Sequence, residues 1–218
     1  MTKLAIFDCD GTLVDSGGSI DRALRTTFEA HSIDCPPEAA TRRVIGLSLG
    51  EAFAELVPDG DHQALSATYR DAFFAMRGAG VVEEPLYDGM VEVLEAMRAD
   101  GWLLGIATGK SDRGLAHCLA AHGIADHFAT LQTADRHPSK PHPAMVLAAM
   151  AEAGSTPAET VFIGDTGWDM GAARAADCGA IGVGWGYQQD GELRGAGAHY
   201  VASAPAELPG LAKRWVEA

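Results

Sequence analysis

From the Asp88-Gly89 pair to the C-terminus, short apolar runs alternate with stretches of helical spacing, and this alternation limits the possible folds more than any other feature of the chain. Val91, Leu94 and Met97 recur at helical intervals ahead of an apolar run at residues 102–107. A second helical stretch, Asp112–His122, stops at Gly123, a usual helix terminator. Residues 128–131, 160–163, 180–183 and 200–201 follow as strand candidates, with helices expected over residues 143–153 and 169–177. Leu4–Phe7, near the N-terminus, is one more apolar run, closed by Asp and Gly, as in a strand buried on both faces. Together these predict an α/β core, a parallel sheet with helices on both faces and a site beyond the carboxyl ends of its strands.

The stretch between the first strand and Asp88 reads differently. From Ser19 to about Arg77 no strand pattern occurs, but Ile20, Ala23, Leu24 and Phe28 recur at helical spacing, as do Leu65, Tyr69, Phe73 and Met76. Pro36-Pro37, Gly46 and Pro58-Asp59-Gly60 break these helices. An all-helical domain over residues 16–81, inserted into a core of residues 1–15 and 82–218, accounts for both patterns. The glycine-rich, polar segment 184–197 reads as a flexible loop.

Sixteen Lys and Arg against thirty Asp and Glu leave a formal net charge of -14, which repels phosphate backbones and argues against nucleic acid as a partner. Lys3 leads straight into Leu4 without a targeting pattern, and no apolar run approaches membrane-spanning length. The expectation is a cytoplasmic monomer or homodimer without membrane attachment. Cys9, Cys35, Cys118 and Cys178 form no C-x-x-C pair. His117, His122 and His127, five apart, fall on different helix faces, so neither zinc nor dithiol chemistry is expected.

Chemistry concentrates at the strand ends. Asp8 and Asp10 directly follow the first strand, two apart, so both side chains leave the backbone on roughly the same side while Gly11 lets the chain turn. Two carboxylates in so small a volume need a cation between them or a proton on one. Asp-Gly alone is also the commonest spelling of a turn. Asp165 and Asp169, in Gly164-Asp165-Thr166-Gly167-Trp168-Asp169, follow the run Val161-Phe162-Ile163, and alone read equally as a capped helix start. Adjacent strands of one parallel sheet would gather all four acids. Mg2+ is the natural occupant, since it takes oxygen ligands and shares its shell with phosphate. Thr108-Gly109-Lys110 offers a hydroxyl and free N–H groups to a phosphate at the next helix start, and Lys140-Pro141 supplies a cation. The chain holds only four lysines, Lys3, Lys110, Lys140 and Lys213, so candidates for gripping phosphate are few.

The segments Asp8-x-Asp10-Gly11-Thr12-Leu13-Val14-Asp15-Ser16, Thr108-Gly109, Lys140-Pro141 and Gly164-Asp165-Thr166-x-x-Asp169-Met170 resemble, in order and spacing, the four motifs of the haloacid dehalogenase superfamily. The likeness spans essentially the whole chain, and the helical insertion resembles the cap of the phosphoglycolate phosphatase-like branch. It implies a Rossmann-like core and a Mg2+-dependent phosphatase acting on a small phosphorylated metabolite through an aspartyl-phosphate. By this resemblance Asp8 is the nucleophile and Asp10 the general acid and base. Thr108, Gly109 and Lys140 hold phosphoryl oxygens, while Asp8, Asp10 through its backbone carbonyl, Asp165 and Asp169 serve the metal. In the family's dehalogenases the residue two after the nucleophile is not Asp, so Asp10 implies phosphoryl transfer. Phosphonate cleavage through a cap lysine is excluded, because no lysine lies between Lys3 and Lys110. Cys9 is a less usual residue between the acids and reads as packing.

The nearest alternative is a phosphomutase of the same family, which returns the phosphoryl group to a sugar, although Asp15-Ser16-Gly17-Gly18 looks more like the phosphatases. A phospho-receiver signalling domain gathers similar residues, but here the acids split into an early and a late pair with a large cap between. Substrate choice is expected in the cap. There Arg43, in Arg42-Arg43 before Gly46, either grips a substrate anion or is an ordinary solvated arginine.

Overall fold

A computed structural model of the protein describes residues 2–218. Strand β1 (Leu4–Phe7) is followed by four helices, α1 (Gly17–Ala30), α2 (Glu38–Arg43), α3 (Leu49–Leu56) and α4 (His62–Gly78). Alternation then begins with α5 (Met90–Ala99), β2 (Leu103–Thr108), α6 (Asp112–His122), β3 (Phe128–Thr133), α7 (Ala144–Ala153) and β4 (Thr160–Gly164). It ends with α8 (Gly167–Ala175), β5 (Gly179–Val183), α9 (Asp190–Gly195), β6 (Tyr200–Ala202) and α10 (Leu208–Val216).

The strands form one sheet in the order β3-β2-β1-β4-β5-β6, with every pairing parallel. The order reverses beside β1, and in such sheets ligands bind in the crevice beyond the strand ends at that reversal. Phe7 pairs with Ile106 on one side and Ile163 on the other, and the Asp8 N–H donates to the Ile163 carbonyl at 2.9 Å. The residues just beyond β1, β2 and β4 therefore emerge at one level.

Period-two alternation sends strand side chains to two separate cores. Ala5, Phe7, Ile106 and Ile163 pack with α5, α6 and α10, whereas Leu4, Ile6, Ala107 and Phe162 pack with α7 and α8. Because both faces are covered, the central strands β1, β4 and β5 are largely apolar, whereas the edge strand β3 carries buried Thr130 and Gln132. Cys9 lies in the first core beside Cys118, with the sulfurs 3.9 Å apart, consistent with a packing role. Helices α1–α4 have a third core, in which Phe28 and Phe53 meet edge to face at 6.0 Å, a contact worth about 0.5–1.5 kcal/mol beyond its area. The chain leaves the sheet domain after Val14 and returns at Leu86, which bridge each other, and Asp15 N–H donates to the Pro85 carbonyl.

Three expectations need correction. Helix α8 begins at Gly167, two residues early, because Thr166 and Asp169 form a reciprocal cap. Segment 184–197 is a loop only in part: after residues 184–189 it forms α9, where Glu192 accepts from the Gln189 N–H and Leu193 is buried. Helix α10 was not anticipated, although Leu208, Leu211, Ala212 and Trp215 are spaced for a helix face. Among the described residues no helix is long and apolar enough to cross a membrane.

Candidate active site

Because β1 and β4 are neighbours, Asp8, Asp165 and Asp169 converge. Each offers a carboxylate oxygen, these oxygens lie within 4.8 Å of one another, and all three residues are fully buried. Asp165 accepts from Thr12 Oγ1 at 3.1 Å and from the Tyr187 N–H at 2.8 Å. Asp169 divides its two oxygens: Oδ2 accepts from the Thr166 N–H and hydroxyl, capping α8, while Oδ1 accepts from Lys140 Nζ at 2.6 Å. The motif therefore caps α8 and, at the same time, brings Asp165 and Asp169 into the buried acidic trio.

Asp8 differs from the other two. Lys140 Nζ lies 3.0 Å from its Oδ1 without the alignment of a hydrogen bond, so neither Asp8 oxygen has a hydrogen-bond partner. Burial pushes its carboxyl up to about 7; Lys140 opposes that shift, and the charges of Asp169 and Asp10 add to it. Burial, then Asp169 and Asp8, likewise hold the Asp165 carboxyl well above the usual range. Although burial works against its charge, Asp169 and Asp8 raise the Lys140 ammonium. When all three buried acids are ionised, three carboxylates against one ammonium leave two excess negative charges, which one divalent cation cancels. The all-oxygen donor set and the two orphaned Asp8 oxygens fit a hard cation such as Mg2+.

The Asp10 carboxylate lies outside this trio. The turn that starts at Gly11 (φ 79°) directs it elsewhere: Ser16 Oγ donates to Oδ1, and Lys110 Nζ lies 2.8 Å from the same atom. Four acids were expected together, and the structure gathers three carboxylates. By the resemblance Asp10 would meet the cation only through its backbone carbonyl. Its side chain lines a cavity of about 570 Å³ between the inserted helices and the sheet domain, which also receives Tyr69, Phe73, Arg70 and Arg113.

Thr108 is fully buried at the end of β2. A Cβ on Gly109 would stand 2.4 Å from the Leu47 carbonyl oxygen, so only glycine lets the turn at Gly46-Leu47 rest there. Trp168 Nε1 donates to the Arg43 carbonyl at 2.9 Å and the Ser48 N–H to Ser139 Oγ at 2.8 Å, pinning the same turn across the site. This closed arrangement shuts Asp8 from solvent. The Arg43 side chain is exposed and does not line the cavity; its main chain makes the contact. Lys110, read from sequence only as part of a phosphate-binding turn, bridges Asp10 to Glu84. Glu84 itself carried no sequence signal, being one charge in a segment without periodicity, and Tyr187 lay in the stretch read as a loop.

Comparison with known proteins agrees with this fold. Residues 5–183 match the family described as haloacid dehalogenase-like hydrolase. A Dickeya dadantii protein named "Probable phosphatase IndB" is 33% identical over 97% of this chain and 94% of its own. A Chromobacterium violaceum phosphoglycolate phosphatase is 32% identical over 97% of this chain and 96% of its own. The crystal structure of a hydrolase from Pseudomonas syringae superposes with a TM-score of 0.85 at 28% identity, covering 96% of this chain and 97% of that one.

Proposed function

Because the chain belongs to the haloacid dehalogenase-like hydrolases, and is a phosphatase by kinship with members so named, we propose that it hydrolyses a small phosphate monoester with Asp8 as nucleophile and Mg2+ as cofactor. The observation that carries this reading is the Asp8 carboxylate, buried beside Lys140 with neither oxygen hydrogen-bonded, and so free to attack.

Asp8 forms a bond to phosphorus as the ester oxygen leaves, giving an aspartyl-phosphate, which splits one hard displacement into two easier ones. Asp10, facing the cavity where a leaving group would sit, gives that oxygen a proton and later takes one from the water that releases phosphate. Thr108, the Gly109 N–H and Lys140 share the charge on the equatorial oxygens. Asp8, Asp165 and the Asp10 carbonyl would hold Mg2+, with Asp169 beside them; when bound, it screens the negative nucleophile from the negative phosphoryl group.

The leaving group belongs in the cap–core cavity, whose size falls in the ~300–1,000 Å³ range of small-molecule sites. Phosphoglycolate and sugar phosphates both fit this class. The test is phosphate release from a panel of such esters with and without Mg2+. Mg2+-dependent release of free phosphate supports the reading. No release from any ester overturns it, and isomerised sugar phosphate would make the protein a mutase.

A second expectation concerns the cation. The Asp8 carboxyl is raised from 3.8 to about 7 and that of Asp165 is raised too, so in metal-free protein both favour the protonated form. The Asp8 contribution is present at low pH and is lost as pH rises through about 7, and the raised Asp165 carboxyl adds a contribution of the same sign. A cation held by these acids would stabilise their ionised forms and so take the place of those protons. Thermal melts should therefore show a larger Mg2+-induced rise in melting temperature near pH ~8 than near pH ~5. Equal shifts at both would count against a cation among these acids.

A further inference from the structure

The contacts of Lys110 are not explained by holding a phosphate. Its side chain is only 10% exposed, and its Nζ sits 2.8 Å from Asp10 Oδ1 and 2.7 Å from Glu84 Oε1. The other oxygen of Glu84 lies 2.9 Å from an Arg77 nitrogen. These residues come from three places: Lys110 from the loop after β2, Glu84 from the segment returning to the sheet domain, and Arg77 from the last turn of α4. Glu84 is tied to the sheet domain as well, since its carbonyl accepts from His122 Nε2 at 2.7 Å. An ion chain thus runs from the inserted helices, across the connecting segment, to the acid beside the nucleophile.

Both Lys110 and Ser16 engage Oδ1 of Asp10. With that oxygen held and the residue lining the cavity, Oδ2 is the oxygen left to meet a leaving group. We propose that Lys110 is a positioning residue that aims the Asp10 carboxyl, and that Glu84 and Arg77 make the aim depend on the closed cap. The inference rests on the reading of Asp10 as proton donor and names residues that reading does not use. Proton transfer tolerates little misplacement of donor and acceptor, so a carboxyl free to rotate loses rate before it loses binding.

The test compares two esters. The leaving group of 4-nitrophenyl phosphate departs without a proton, whereas that of glycerol 3-phosphate needs one. Because kcat/KM reports only the steps through departure of the leaving group, whereas the later hydrolysis of the aspartyl-phosphate is common to both esters, Lys110→Gln should lower kcat/KM for the glycerol ester ~10–100-fold and for the nitrophenyl ester less than ~3-fold. Lys110→Arg should restore part of the loss, and Glu84→Gln and Arg77→Gln should show the same selectivity in weaker form. Equal losses on both esters, or none, overturn the proposal. Asp10→Asn is the reference: if it fails to discriminate between the esters, the reading of Asp10 is wrong, whereas if it discriminates and Lys110→Gln does not, the positioning role alone is wrong. Should Lys110→Gln not fold, the Glu84 and Arg77 variants carry the same comparison: selective loss on the glycerol ester supports the positioning role, and equal or no loss overturns it.

Discussion

Asp8→Asn abolishes phosphate release, by ~10⁴-fold or more, yet makes the metal-free protein harder to unfold. The loss of turnover follows from removing the attacking group, an effect on the scale seen when covalent nucleophiles are deleted. The gain in stability has a separate cause. Asp8 is fully buried, neither oxygen is hydrogen-bonded, and Asp165 and Asp169 lie close by. Above pH ~7, where the Asp8 carboxyl is ionised, a neutral amide removes both the desolvation of a charge and its repulsion from two neighbours, so the gain is read there. Lys140 keeps Asp169 as a partner at 2.6 Å. A chain of this length gains ~2–4 °C of melting temperature per kcal/mol. Phosphate-release assays and melts in chelator check the two halves separately. Retained turnover would remove Asp8 from the nucleophile role, and a lowered melting temperature would show that its charge is better compensated than the geometry indicates.

Lys140→Met has the opposite effect on stability and the same direction on activity. Methionine fills much of the space but leaves three buried carboxylates with no ammonium among them. Breaking a buried pair by deleting one partner costs about 3–5 kcal/mol, which corresponds to roughly 6–20 °C. Activity falls ~10²–10³-fold through loss of a donor to the phosphoryl oxygens. The destabilisation depends on pH in a defined sense. With Asp8 already raised to about 7, acidification supplies protons in place of the lost ammonium, so the deficit is largest above neutrality and shrinks as pH falls. Melts near pH ~5 and ~8 distinguish this from simple loss of packing, which would cost the same at both.

The sheet domain was legible because its central strands β1, β4 and β5 are fully buried and spelled largely by apolar residues, and because Gly123 stops α6 in the usual way; the edge strand β3, with Thr130, Gln132 and Thr133, was the weaker signal. The acidic trio was legible for a related reason: acids directly after apolar runs must emerge at strand ends, and two such runs in one parallel sheet can be neighbours. What sequence could not supply was direction. Nothing in Asp8-Cys9-Asp10 says that the second carboxylate turns toward Ser16 and Lys110 instead of joining the first. Arg43 has the chemistry for gripping an anion, but the Trp168 contact at its carbonyl leaves its side chain in solvent. Residues such as Glu84 are defined only by long-range partners, here 26 positions away at Lys110, and leave no periodic trace.

The turn at Gly46-Leu47, packed against Gly109 and standing over Lys140, sets a ceiling on how fast the protein can work. Asp8, the nucleophile proposed above, has no exposed surface, so on that reading a new ester reaches it only after that turn has lifted, and phosphate leaves only after it lifts again. Every catalytic cycle therefore contains two excursions of the inserted helices, on the microsecond-to-millisecond scale of such hinges. Once the chemical steps outrun them, the turnover number reports the stiffness of two connecting segments and responds to solvent viscosity.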